Sequence, residues 1–170
     1  MNIDGPPMNE ISRELLRLVA LNHQEQWVPT DVAIQQLEYY GDRLIPGLVL
    51  ALDDANEEVR LLAMNLLDEA GSRSTPALPI IIRMLRDEDR TMRLSTGECL
   101  QKFGLLAIEA VPLLWPWLFD DHEYVRLLAA ITITCINPKM RDEMSPVIRT
   151  ATGSANPMVR FLAEEFMTNH

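Results

Sequence analysis

Apolar residues come in short bursts broken by Asp, Glu, Arg or Pro. Within 44–70, Leu48, Val49 and Leu52 follow one helical stripe, and Val59, Leu62, Ala63, Leu66, Leu67 and Ala70 follow a second. Steps of three and four put such residues on one face of a helix. The two stripes predict a helix pair joined by a short polar turn at Asp54, and the pair recurs. Prolines at Pro46, Pro79, Pro112 and Pro146 are spaced by 33, 33 and 34 residues, and the pairs Val59-Arg60, Met92-Arg93, Val125-Arg126 and Val159-Arg160 keep the same steps. Two unrelated residue types that share one phase, including the one-residue slip, define four repeats over 44–75, 76–108, 109–142 and 143–170.

Other columns fall into that phase. Leu52, Leu85 and Leu118 share a position, with Thr152 as the fourth member. Asp54, Asp87 and Asp120 share another, with Ser154 as the fourth. The small residues Ala63, Thr96, Ala129 and Ala163 let helices approach, and Leu67, Leu100, Ile133 and Met167 form a core column. A turn acid near the start of the second helix suits the backbone N–H groups and dipole there. Gly71, Gly104 and Asn137-Pro138 are the residues expected where the second helices stop.

Residues 9–43 predict a degenerate first pair: Ile11, Leu15, Leu18 and Val19 have helical spacing, and a second helix opens near Thr30 and Asp31 and closes at Gly41. It reads as an N-terminal cap, with Trp27, Tyr39 and Tyr40 filling the place of the missing neighbour. Residues 1–8 read as a disordered leader, and 9–170 as one domain. The last helix ends without an obviously polar cap and leaves Phe161 or Phe166 near the end of the stack.

The unit, "LIPGLVLALDDANEEVRLLAMNLLDEAG" in its cleanest copy, resembles the HEAT repeat, in the short form common in bacterial proteins. The resemblance runs from about Leu44 to Met167 through the first-helix proline, the turn Asp and the Val-Arg opening of the second helix. Periods of 33 and 34 also suit ankyrin and tetratricopeptide repeats, but neither a recurring Thr-Pro-Leu-His nor a Trp, Leu-Gly, Tyr, Ala, Phe series occurs. The resemblance implies an all-α fold, an α-solenoid built from antiparallel helix pairs. It also implies a structural ladder in which Arg60, Arg93, Arg126 and Arg160 pair with Asp54, Asp87 and Asp120 to tie neighbouring repeats together, a task suited to charge-assisted bidentate bonds.

Composition narrows the function classes. A chain of 170 residues, 48% hydrophobic and 24% charged, can bury a sizeable core. The formal net charge of -10 repels a phosphate backbone, and the one basic cluster, Arg83, Arg86, Arg90 and Arg93, is interleaved with acids and reads as a solvated face, so nucleic acid is not the expected partner. No uninterrupted apolar run reaches the roughly 18 to 20 residues of a membrane span. No basic region precedes an apolar core at the N-terminus, and the cytoplasm is the expected location. Cys99 and Cys135 lack metal-ligand spacing and read as buried thiols.

Candidate chemistry is sparse. His122-Glu123 invites comparison with the HEAT-like deoxyhypusine hydroxylases, which bind a metal pair through His-Glu dipeptides. Here the dipeptide occurs once, in a turn, and a metal needs three or four convergent ligands. No cofactor and no catalytic residue are expected. Second-helix positions facing away from the first helices line the concave side of such a stack: Asn65, Asp68 and Glu69; Glu98 and Gln101; Ile131, Thr134 and Cys135; Glu164 and Glu165. They predict an acidic groove, more apolar at the third repeat, for a basic or amphipathic protein segment. The leading expectation is therefore a non-enzymatic interaction scaffold. A subunit that forms a homodimer through its C-terminal stack end comes second, and a HEAT-like phycobilin lyase or metal-dependent enzyme third. In "LLWPWLFDDHEYVR", Leu114, Trp115 and Leu118 read as core, Pro116 as a bend, and Trp117 as the residue that the repeat leaves over, an exposed binding anchor or a packing residue.

Overall fold

The computed structural model describes residues 8–23 and 28–169, and no strand occurs among them. Ten α-helices follow one another among these residues: α1 (Met8–His23), α2 (Thr30–Leu37), α3 (Leu44–Ala51), α4 (Glu57–Ala70), α5 (Leu78–Arg83), α6 (Arg90–Leu100), α7 (Val111–Leu114), α8 (Glu123–Ile136), α9 (Arg141–Ala151) and α10 (Pro157–Asn169). Helices α3/α4, α5/α6, α7/α8 and α9/α10 are the pairs that the repeat phase predicts. The expected leader lies outside the described residues up to residue 7, and Met8 opens α1.

The first helices are short. Helix α5 tightens into a 3-10 turn at Met84–Arg86, and α7 does so at Trp115–Phe119. In the latter, Pro116 has no N–H to give the carbonyl of Pro112, so the α-helical ladder cannot continue past Leu114. Gly71 ends α4 with φ 55, and Gly104 ends the segment after α6 with φ 50. A left-handed residue at a helix C-terminus favours glycine because it lacks Cβ. The turn at Gly104 also bears on the membrane question. The stretch Arg90–Phe119 contains an 18-residue window of mean hydropathy 1.3 with few charges, an apolar density that the inspection of uninterrupted runs overlooks. Gly104 breaks it, with ψ -138, whereas a span needs one continuous hydrogen-bonded helix.

Each repeat closes its interhelix turn in one way. The turn acid, or the serine that replaces it in the fourth repeat, accepts the N–H two residues on: Asp54 from Asn56 at 2.9 Å, Asp87 from Asp89 at 2.8 Å, Asp120 from His122 at 2.8 Å, and Ser154 Oγ from Asn156 at 3.0 Å. That second residue is the N-cap, and Asn56, Asp89 and Asn156 each accept a further N–H from the first turn of the helix. The repeat arginine then reaches back to the turn's main-chain carbonyls. Arg60 donates to Asp54 O at 3.0 Å, Arg93 to Asp87 O at 2.7 Å, Arg126 to Asp120 O at 2.5 Å and Arg160 to Ser154 O at 2.6 Å.

This corrects the expected ladder. Arg60, Arg93, Arg126 and Arg160 bond carbonyls of their own repeat, and the carboxylates of Asp54, Asp87 and Asp120 are engaged by N–H groups of the same turn. The physical reason is that a half-buried turn leaves carbonyls which need donors, and the guanidinium six residues on is within reach. Links between repeats come from other residues: Arg83 to Asp53 at 3.0 Å, and Ser154 Oγ to Glu123 Oε1 at 2.8 Å.

The chain forms two compact units, Met1–Ser95 and Thr96–His170, divided inside α6. In the first, α1 packs on α3 and α4, and α2 packs on α4, with Ile11, Leu15 and Leu18 buried. Gly47 makes room for this. A Cβ there would lie 2.1 Å from Ile11 Cδ1, whereas the other repeats carry Ile80, Leu113 and Val147 in that column. Tyr39 corrects an expectation: it is 78% exposed and fills no gap. Tyr40 is half-buried, with its ring 4.8 Å from that of Tyr39. Trp27 lies outside the described residues.

In the second unit, α8 packs against the segment 101–110, the 3-10 turn 115–119, α9 and α10. It is buried on nearly every side from Leu127 to Ile136, as its almost uninterrupted apolar sequence requires. Across both units the repeat columns are core. Val59, Met92, Val125 and Val159 are buried, and so are Ala63, Thr96, Ala129 and Ala163. Met167 departs from its column and is 43% exposed.

Candidate functional site: a groove across the second helices

The second unit carries a groove of about 360 Å³ formed by α6, α8 and α10. Leu127 and Leu128, both buried, make its floor together with Ile131. Glu98, Gln101 and Tyr124 line one side, and Leu162, Glu165, Phe166 and Asn169 the other. The helical phase explains the set: Glu98, Ile131 and Glu165 each stand five residues after the repeat arginine of their helix, so one face of each second helix contributes.

The electrostatics are one-sided. The lining includes two carboxylates and no lysine or arginine. Tyr124 donates its hydroxyl to Glu98 Oε1 at 2.5 Å. Burial, and then that bond to a carboxylate, push the phenol well above its ordinary range, because ionised tyrosine would lose both solvation and its acceptor. Gln101 Nε2 donates to Thr132 Oγ1 at 3.1 Å, and Thr132 donates in turn to the carbonyl of Gly97. This chain fixes the Gln101 amide at the groove edge. The site offers an apolar floor under fixed acceptors and can hold an aliphatic side chain beside a cation.

Of the residues expected to face a partner, Glu98, Gln101, Ile131 and Glu165 meet here. Asn65, Asp68 and Glu69 lie on α4 in the first unit, where Asn65 and Glu69 are exposed and Asp68 is half-buried. Thr134 corrects the expectation. It is buried, and its hydroxyl donates to Ala130 O at 2.8 Å, because neighbours cover α8 all round. Cys135 is half-buried rather than buried, and burial raises its thiol pKa. Tyr124, Leu127, Leu128, Leu162, Phe166 and Asn169 were missed. The apolar run of α8 pointed to a helix with no solvated face, and in such a helix the groove floor falls on the first turns.

Trp117 and Trp115 exchange roles. Trp117 is half-buried over Gly97, where a Cβ would lie 3.3 Å from its ring. Trp115, expected in the core, is 38% exposed, and Phe119 is 77% exposed. Val49 and Ile82, in the Trp115 column, are themselves only half-buried, so the column marks a rim. His122 occupies the N-cap slot, with Nδ1 3.1 Å from Asp120 Oδ1, and Glu123 accepts from Ser154. The dipeptide thus serves its turn.

Comparison with known proteins bears on this architecture. The profile described as HEAT repeats matches residues 45–134. The chain belongs to the HEAT-repeat family. Its fold is an α-solenoid, similar to solved structures of that class. One is the complex of CpcE and CpcF of phycocyanin lyase from Nostoc sp. PCC7120, with a TM-score of 0.66 at 16% identity over 94% of this chain and 98% of the other. Another is a designed armadillo repeat protein in complex with the peptide (KR)4, with a TM-score of 0.57 at 18% identity over 95% of this chain and 90% of the other. No curated protein matches this HEAT-repeat chain.

Proposed function

We propose that this protein is a non-enzymatic interaction scaffold whose second-helix groove binds a partner segment carrying basic and aliphatic side chains. The observation that carries the reading is the groove itself: Leu127, Leu128 and Ile131 form an apolar floor, Glu98 and Glu165 flank it, and no cation lines it. Helical-repeat folds commonly mediate protein interaction. The solved relatives stand in complexes with a protein and with a (KR)4 peptide, which supports a protein ligand here. The inventory supports binding over catalysis, since Glu98 already accepts the Tyr124 hydroxyl and the rest of the lining, Glu165 apart, is amide or hydrocarbon.

Titration calorimetry with a synthetic peptide of alternating arginine and leucine tests this. Binding to the unaltered protein, abolished by Glu98→Lys with Glu165→Lys, is the expected result. Equal affinity for both proteins removes the groove as the site.

A second reading, self-association through the C-terminal helix, is favoured by Met158 and Phe161, which are 60% and 58% exposed on α10. Light scattering decides it: a dimer that Phe161→Glu dissociates supports self-association, and a monomer at all concentrations rejects it.

A further inference from the structure

The outward side of the segment from Ile108 to Phe119, which leads into and includes the third repeat's first helix, has no task in the fold or in the groove. Leu114 and Leu118 are buried, and Trp117 packs on Gly97, so the inward side already holds the helix in place. On the other side Ile108, Trp115 and Phe119 are 43%, 38% and 77% exposed. Exposed Ile108, Pro112, Trp115 and Phe119 alternate along the segment with buried Ala110, Leu114 and Leu118, which places the three on its solvent side as one stripe. The repeat does not require them to be apolar. Phe119 stands where the other repeats have Asp53, Arg86 and Gly153, Trp115 where they have Val49, Ile82 and Arg149, and Ile108 where the first two have Asp42 and Thr75. A solvated turn position that changes from Asp or Arg to Phe enlarges an exposed apolar patch, and such patches mark interaction sites.

Charge selects the occupant. From Phe103 to Val125 the chain has no lysine or arginine, and it has Glu109, Asp120, Asp121 and Glu123. Glu109 and Asp121 are exposed and bracket the stripe. An anionic lipid surface is repelled by that field. A second copy of the chain would bring the same carboxylates against each other. A helix whose apolar residues recur at i, i+3, i+4 and i+7, flanked by cations, complements both the hydrocarbon and the charge. From Ile108 to Phe119 the stripe runs about 16 to 20 Å, roughly three turns of such a helix. We infer that Ile108, Trp115 and Phe119 form a docking surface for an amphipathic, lysine- or arginine-flanked helix of another protein. This surface is separate from the groove, whose lining includes none of the three residues.

The test uses the full chain and a synthetic amphipathic helix with leucines at those four positions and lysines on both flanks, together with a companion in which glutamates replace the lysines. Fluorescence anisotropy should show the lysine peptide binding, with affinity lost at least about tenfold in Phe119→Asp and in Trp115→Lys. The same measurements are made in the Glu98→Lys, Glu165→Lys background, which removes the groove for basic peptides, and the loss in Phe119→Asp there reports this surface alone. The glutamate peptide should bind about tenfold more weakly or not at all. Unchanged melting of the two surface variants shows that they fold, as exposed positions allow. The inference is overturned if the lysine peptide fails to bind, or binds wild type and both variants alike. It is equally overturned if the chain is a dimer that Phe119→Asp dissociates, or if anionic phosphatidylserine vesicles retain wild type and release Phe119→Asp.

Discussion

Arg93 donates to the main-chain carbonyl of Asp87 at 2.7 Å, while the carboxylate of Asp87 accepts the N–H of Asp89 at 2.8 Å. The repeat's basic and acidic residues therefore close one turn from opposite sides. Arg93→Ala leaves half-buried carbonyls without their donor and is expected to cost about 1 to 3 kcal/mol. Asp87→Asn keeps an acceptor for Asp89 and is expected to cost less than Arg93→Ala. Urea melts of the two variants check this; equal losses would favour a charge pair instead.

Gly47→Ala is expected to destabilise the first unit by about 1 to 3 kcal/mol, the usual range for overpacking a filled core. The added Cβ would fall 2.1 Å from Ile11 Cδ1 and 3.1 Å from Cγ1, and Ile11 is fully buried. Since alanine otherwise favours a helix over glycine, a loss in thermal melting isolates the clash. The double variant with Ile11→Val should recover part of it.

Core truncations should rank by burial. Leu85→Ala and Leu118→Ala remove side chains that are 4% and 9% exposed and should each cost about 2 to 5 kcal/mol. Leu62 shares the helical stripe in sequence but is only half-buried, so Leu62→Ala should cost less than either. Denaturant midpoints at constant slope measure the order.

Alkaline stability should carry a signature of Tyr124. Its folded pKa lies above the ordinary tyrosine value of about 10, so above pH 10 the unfolded chain releases a proton that the folded chain keeps. That contribution is complete below pH 10 and is lost as pH rises toward the folded value. Tyr124→Phe should therefore flatten the decline of stability above pH 10, and absorbance titration of wild type should show one late-ionising tyrosine that the variant lacks.

The repeat phase was legible because proline constrains the backbone and the repeat arginine serves the turn carbonyls, two tasks that an interchangeable hydrophobic residue cannot take. Pro46, Pro79, Pro112 and Pro146 all fall on first helices, and every Val-Arg or Met-Arg pair falls at the start of a second helix. Four of the ten groove residues, Glu98, Gln101, Ile131 and Glu165, followed from the same phase. The rest depends on what lies against each helix. Thr134 is buried because α8 has neighbours on all sides, Trp115 is exposed because its column, with Val49 and Ile82, lies at the rim, and Trp117 is half-buried because it packs on Gly97. The turn bonds were hidden for another reason: an Asp and an Arg six residues apart look like a charge pair until the main-chain carbonyls are counted as acceptors.

Every repeat carries its own turn acceptor, an acid in three and Ser154 in the fourth, and its own arginine, and from Arg60–Asp54 to Arg160–Ser154 the arginine's bonds stay within one repeat. The bond from arginine to turn carbonyl is local in each repeat. A genetic duplication or loss of one such unit would leave the arginine closures of the remaining turns intact, so the apolar faces and the few bonds between repeats, such as Arg83 to Asp53, are what must match again. The local wiring of the turn makes copy number the easiest property of this protein for evolution to change.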